Sequence, residues 1–274
     1  MNNKTENKEE FDTSELAFIT YRIFYGIDEE IKTSKGRKFF ELNKLNYSGE
    51  TDFNFGPGWS HSISSKFKGY LGEISNSYKK YYENRLEKCK SLYKTIVNIS
   101  LMPQTGNLQS SKKGLGNDRF DTYIWALNSY YEGETSLLFN NASFQNMELL
   151  KKHFELFRTD NDDIDSIHIY CSRIYGIPKD SQLVDELILS GKEAIDSPEK
   201  VIEYMNLAYK FWGFKLKHIQ DMLVKNKKLL PKDKDKEKII NNEVKKAQEI
   251  LNGWFDKTDC FDIEITHDSL NSEK

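Results

Sequence analysis

Proline is scarce in this chain, five in 274 residues, and no stretch approaches the roughly 20 consecutive apolar residues of a membrane helix. The first shortage argues against a β protein punctuated by proline turns; the second excludes helical membrane spans. Cysteine is also scarce. Cys89, Cys171 and Cys260 are odd in number and far apart, so no disulfide framework is expected. Histidine occurs five times, at 61, 153, 168, 218 and 267, and never in the HExxH or paired-CxxC spacing that zinc sites use. The chain opens on "MNNKTENKEEFDTSE", polar and without a basic-then-apolar secretory pattern. A reducing, cytoplasmic setting is therefore the expectation. Net charge is −3, so no overall field draws the molecule to nucleic acid or to a membrane surface.

What is abundant is aromatic and charged. Aromatics make up 13% of the residues and charged residues 30%, a composition that folds and favours helix. Apolar spacings of three and four predict helices over Glu73–Tyr93, Asp118–Tyr131, the segment "SFQNMELLKKHFELF" and "SQLVDELILSGKEAI", the last stopped by Gly191. Asn117 or Asp118 is the expected cap of the second of these. "IDSIHIYCSRIYGIP" is apolar nearly all round and should be buried, ending at Gly176–Pro178. "LAFITYRIFYG" is either a buried strand or a helix, and "KTIVNISLMP" reads as a buried strand ended by Pro103. Ser197 followed by Pro198 starts a long helix with the stripe Val201, Met205, Ala208, Trp212, Leu216, Ile219 and Leu223. A second stripe, Ile240, Val244, Ala247, Leu251 and Trp254, makes its partner. The expected fold is mainly α with a small β component (α+β), the strands falling near 16–60 and 95–103, and a C-terminal antiparallel α-hairpin. In chain order we expect a disordered lead over 1–12, an α+β core over 13–196, the hairpin over 197–256, and a short extended piece with a polar tail over 257–274.

The densest local pattern is "NISLMPQTGNLQSSKKGLGNDRF". A strand enters a glycine- and lysine-containing loop and a helix leaves it, the setting in which backbone amides cradle phosphate. Thr105, Gly106, Lys112, Lys113, Gly114 and Arg119 are the candidate anion contacts. The spacing fits neither a Walker loop, which needs lysine directly after its second glycine, nor a dinucleotide fingerprint, which needs glycine where Arg119 stands. A basic turn is the simpler reading. "DNDDID" lacks the glycine and glutamate of a calcium loop, so an acidic helix start is preferred. Tyr78, Tyr81 and Tyr82 alternate with Lys79, Lys80 and Arg85, a mixture that can stack on bases, although the tyrosines equally fit a core stripe. No motif calls for a cofactor or a metal.

Charge is uneven along the chain. From Ser65 to Lys113 ten basic residues meet three acids, from Glu132 to His168 three meet eight, and from Lys225 to Lys246 nine meet four. Lys227, Lys228, Lys234 and Lys236, at the expected hairpin turn, are the candidate interaction surface.

The strings "NISLMPQTGNL", "DRFDTYIWALNSYYEG" and "ELILSGKEAIDSPEKVIEYMNLAYKFW" together resemble an uncharacterised family of bacterial proteins. In that family a short strand-and-loop precedes a helix bearing arginine and aspartate, and a "YxxLAxxFW" helix follows. The matching positions are Asn98, Leu101, Pro103, Gly106, Asn107, Leu108, Asp118, Arg119, Tyr204, Leu207, Ala208, Phe211 and Trp212. The resemblance implies a shared fold over about residues 95–215 and carries no activity with it. The expected function is non-catalytic: a cytoplasmic protein of bacterial or phage origin that binds a protein partner, in phage–host conflict, with homo-oligomerisation a further expectation and no membrane role. The alternative is a nucleic-acid- or nucleotide-binding enzyme or sensor that uses the loop 105–116 and Arg119.

Overall fold

A computed structural model describes residues 14–55, 76–93, 95–103, 119–134, 136–139, 144–159 and 165–254. The fold is mainly α with a small β component, as the patterning predicts: eight α-helices and one four-stranded sheet among these residues. "LAFITYRIFYG" resolves as helix, α1 (Glu15–Tyr25), because Ser14 accepts a hydrogen bond from the Ala17 amide at 3.1 Å and Gly26 closes the last turn. Three strands follow in a meander: β1 (Lys32–Ser34), β2 (Arg37–Leu42) and β3 (Leu45–Thr51). β4 (Ile99–Pro103) then pairs antiparallel with β3, so the sheet runs β1-β2-β3-β4. The predicted strand from Lys94 is shorter than expected, since Ile96–Asn98 turns as a 3₁₀ segment before β4 begins.

Strand alternation gives the sheet two different faces. Phe40, Tyr47, Ile99 and Leu101 point to α1 and pack with Phe18 and Tyr21 in a small apolar cluster. The opposite face carries Ser48 and Glu50 on β3 and Ser100 and Met102 on β4, and it turns toward the main core. The free edge of β4 is closed by Tyr25. Its hydroxyl accepts from the Leu101 amide and donates to the Ile174 carbonyl, each at 3.3 Å.

The main core is helical. It gathers α2 (Asn76–Tyr93), α3 (Phe120–Tyr131), α4 (Phe144–Glu155), α5 (Ser166–Tyr175), α6 (Leu183–Lys192), α7 (Pro198–Lys225) and α8 (Lys234–Asn252). α7 has the predicted start, with the Ser197 hydroxyl accepting from the Lys200 amide and Pro198 in the first turn. One face of it is exposed and the other lies on the main core, where Phe53, Phe120, Tyr175, Tyr204, Phe211 and Trp212 form a continuous ring-on-ring cluster. The hairpin of α7 and α8 therefore packs across the core. The division expected at residue 197 follows chain order but not packing, since one hydrophobic cluster takes residues from both sides of it.

Two local points sharpen. α6 does stop at Gly191 to within one residue, and the glycine has a second cause: a Cβ there would stand 2.4 Å from the Asp121 carbonyl oxygen, so it lets α6 approach α3 closely. The residue that caps α3 is Arg119, which makes no side-chain cap bond; Asn117 and Asp118 lie outside the described residues. The expected lead over 1–12, the acidic run at Asp160–Asp163 and the tail beyond 256 also lie outside them.

Candidate functional site

The described parts of the three strings quoted above meet in space, and polar side chains join them. Asn98, at the entrance to β4, is fully buried and fully used. Its amide donates to the carbonyls of Phe53 and Tyr93 at 2.8 and 2.9 Å, and its oxygen accepts from the Phe53 amide at 2.9 Å and Trp212 Nε1 at 2.8 Å. That single side chain ties the end of β3, the end of α2 and the middle of α7 together.

One turn along α7, Lys215 enters the polar face of the sheet. Its ammonium donates to Ser100 Oγ and lies 3.7 Å from Asp52 Oδ2, while Ser100 donates to the same carboxylate oxygen at 2.6 Å. Lys215 and Asp52 are each about 2% exposed and Ser100 is wholly enclosed. The ammonium also stands 5.1 Å from the ring centre of Tyr175, a cation–π contact. Serine beside lysine suggests a nucleophile and its base, but the bonds run otherwise. Base catalysis needs the lysine to accept the serine proton, whereas here the serine gives its hydrogen to Asp52 and the lysine donates to the serine. The arrangement neutralises a buried carboxylate.

Arg119 is the second buried cation, 3% exposed. Nε donates to Asp121 Oδ1 at 2.9 Å and the Nη2 group to Asp121 Oδ2; Nη2 also reaches the Ser190 carbonyl at 2.6 Å and Nη1 the Glu193 carbonyl. Asp121 takes two further bonds, from Ser190 Oγ at 2.6 Å and the Thr122 amide at 2.8 Å. The proposed phosphate contact at Arg119 is thus corrected: its guanidinium is spent on stapling the start of α3 to the end of α6. Thr105, Gly106, Lys112, Lys113 and Gly114, the remaining members of that candidate set, lie outside the described residues.

Other candidates resolve as packing. Tyr82, Arg85 and Leu86 on α2 are buried, and Arg85 donates to Asn206 Oδ1 at 2.7 Å with Tyr81 stacked 4.6 Å from its guanidinium carbon. The base-stacking reading of that helix loses its central cation. His153 is buried in an aromatic box, with Nδ1 at 2.9 Å from the Tyr47 hydroxyl; burial holds its pKa down at about 3 and pushes Tyr47 up to about 12. Burial likewise pushes the thiols of Cys89 and Cys171 upward, away from reactivity. His168 lies near Asp185 and Asp165, at 3.6 and 4.0 Å, yet no group of three ligating side chains able to hold a metal occurs among the described residues. None of the described helices is long and apolar enough to cross a membrane.

The exposed charge gathers at the turn between α7 and α8. Lys227 and Lys228 stand in its 3₁₀ segment and Lys234 opens α8; all three are exposed. Lys236 differs from expectation, because it pairs with Glu15 of α1 at 2.9 Å and lowers that carboxyl's pKa. Lys225, Lys232 and Lys238 add to the exposed set, and the six lysines other than Lys236 make no ion pair among the described residues. Val224 is 79% exposed beside them. The turn is held from below: Asn226 donates to the Ile23 carbonyl at 2.7 Å, and Leu229 and Leu230 pack on the core. Asp233 caps α8 by accepting from the Asp235 and Lys236 amides, which offsets the cost of lysines at a helix start.

Comparison with family models, with curated proteins and with solved structures gives no match to this chain.

Proposed function

We propose that this chain is a non-catalytic binding protein that docks an acidic protein partner on the α7–α8 turn. The observation that carries the reading is the set of six exposed lysines without ion pairs on a turn fixed to the core by Asn226 and Lys236. Unpaired like charges held together repel, and an acidic surface relieves that repulsion while an exposed apolar residue, Val224, supplies contact area. A single-stranded nucleic acid is a weaker fit, because base stacking needs exposed aromatics and this turn has none. The buried cations support the same reading from the other side: Arg119, the candidate phosphate contact, is taken up by internal bonds to Asp121 and the Ser190 carbonyl, and Lys215 by Ser100 and Asp52. A cytoplasmic site of action and a part in phage–host conflict belong to this proposal as its setting.

The test reverses the turn. The native chain and Lys227→Glu/Lys228→Glu/Lys234→Glu are used to capture partners, the retained protein is purified, and binding is measured by calorimetry at two salt concentrations. The expected result is an acidic protein held by the native chain, weakened by high salt, and bound at least about tenfold less tightly by the reversed chain. Equal affinity for both chains sinks the proposal. So does tighter, turn-dependent binding of a single-stranded oligonucleotide. Sedimentation of the purified chain reports separately whether the acidic partner is a second copy.

A further inference from the structure

The β1–β2 hairpin carries a second basic feature of a different kind. Its turn is Lys35–Gly36, both left-handed at φ +50° and +76°, which is the geometry of a two-residue hairpin loop that follows the strand twist. On the sheet face turned away from α1, the register aligns Ser34 with Arg37 and Lys32 with Phe39, and Glu41 with Asn46 on the next strand. Ser34, Lys35, Arg37, Phe39 and Asn46 line an open pocket of about 490 Å³, within the range of small-molecule sites. Of the nearby carboxylates, Glu41 pairs with Lys32 at 2.8 Å, and Glu29 and Glu30 act on that same lysine. Lys35 and Arg37 are exposed and make no ion pair among the described residues.

We infer that this pocket binds a phosphorylated nucleoside. Each part of the ligand has a counterpart. Arg37 offers a planar fork that matches phosphate oxygens, and Lys35 adds a point charge at the loop. Phe39, half-buried in the pocket wall, gives a ring for a base to lie against. Asn46 supplies a donor and an acceptor together, which is what the polar edge of a base requires, and Ser34 supplies a hydroxyl for phosphate or sugar. A carboxylate of an acidic protein would use the two cations and leave the ring and the amide without a role. None of these residues belongs to the α7–α8 turn, so the inference stands apart from the partner surface there. A free nucleotide and the phosphorylated end of a strand share this chemistry.

Binding is measured by calorimetry with AMP, adenosine, inorganic phosphate, phosphotyrosine, and an eight-residue single-stranded oligonucleotide with and without a 5′-phosphate. AMP is expected to bind the native chain, adenosine to bind at least tenfold less tightly, and the phosphorylated oligonucleotide to bind better than its unphosphorylated form. Tighter binding of AMP than of the phosphorylated strand identifies a free nucleotide as the ligand, and the reverse identifies a strand end; both support the site. The principal variant is Lys35→Asn/Arg37→Gln. Asparagine accepts the left-handed backbone better than lysine and precedes Gly36, so this hairpin keeps its fold and a loss of binding reports the charges alone. At least a tenfold loss is expected, and Phe39→Leu should weaken AMP several-fold while leaving inorganic phosphate unchanged. The inference is overturned by three results: no binding of AMP to the native chain, the same affinity in the double variant, or phosphotyrosine bound as tightly as AMP.

Discussion

His153 sits where a charge cannot. Its ring is enclosed by Tyr47, Phe154, Phe157 and Tyr170, and burial alone depresses its pKa from an ordinary 6.5 to about 3. In the unfolded chain the imidazole takes its proton near pH 6.5, so between pH 6.5 and 3 the unfolded state holds one proton more than the folded state. Stability from this residue is complete above pH 6.5 and declines as pH falls, by about 1.4 kcal/mol per pH unit over that window. Urea midpoints measured from pH 7 to 4 should fall accordingly, and His153→Gln should flatten the fall even though it lowers stability at pH 7. An unchanged slope in that variant would place the acid sensitivity elsewhere. Lys215 poses the converse problem, a charge that must stay compensated. Lys215→Met strands Asp52 in the core and is expected to cost about 3–5 kcal/mol, whereas Lys215→Met/Asp52→Asn should cost less than the single change. This pair was only half legible. Lys215 falls four residues after Phe211 and four before Ile219, squarely in the apolar stripe of α7, and a lysine in such a stripe announces a buried partner. Its partners on β3 and β4 are remote in sequence, so spacing could not name them. Arg119 misled for a related reason: a basic residue after a glycine loop looks the same whether it meets a phosphate or the aspartate two positions on.

At the scale of elements, the legible signals were those that one helix carries by itself. Ser197 with Pro198 and the stripes of α7 and α8 appear in the structure where local chemistry placed them, while α5, expected to be buried all round, buries one face and leaves Arg173 exposed. The rest was set by neighbours. Gly191 looks like a helix stop in isolation, and α6 does end one residue after it, but its lack of a Cβ is also needed for contact with the Asp121 backbone and Trp125. Gly191→Ala therefore tests packing and not helix ending. By local propensity alone, alanine this near a helix end would gain less than about 1 kcal/mol. Because the new methyl would meet backbone oxygen at 2.4 Å and Trp125 Cβ at 2.8 Å, we expect instead a destabilisation of about 1–3 kcal/mol, read as a lower melting temperature. A rise in melting temperature would show that α3 and α6 have room to part. The Arg119 bonds to the Ser190 and Glu193 carbonyls sit within three residues of this contact and would loosen with it.

The whole molecule turns on the sheet having two unlike faces. α1 covers one face with an apolar cluster, while the polar β3–β4 part of the other accepts Lys215 from α7. A chain divided at residue 197 would separate those faces from the helix that completes them. Removing α7 and α8 takes away Trp212 Nε1 from Asn98, the ammonium from Asp52 and Ser100, and the ring cluster around Phe53 and Phe120. It also removes Asn226 from the last turn of α1 and Lys88's acceptors, the Gly253 and Trp254 carbonyls just past α8. Buried polar groups left without partners add to the lost apolar contact, each at about 1–3 kcal/mol. Marginal net stability cannot absorb several such losses together. The chain ending at residue 196 should accordingly show no cooperative urea transition by far-ultraviolet circular dichroism. The full chain should unfold in one step, with the fluorescence of its four tryptophans, among them Trp125 on α3, Trp212 on α7 and Trp254 just past α8, tracing the same curve as circular dichroism. A cooperative transition in the shortened chain, or two separated curves in the full one, would mean that the sheet and α1 hold together without the hairpin.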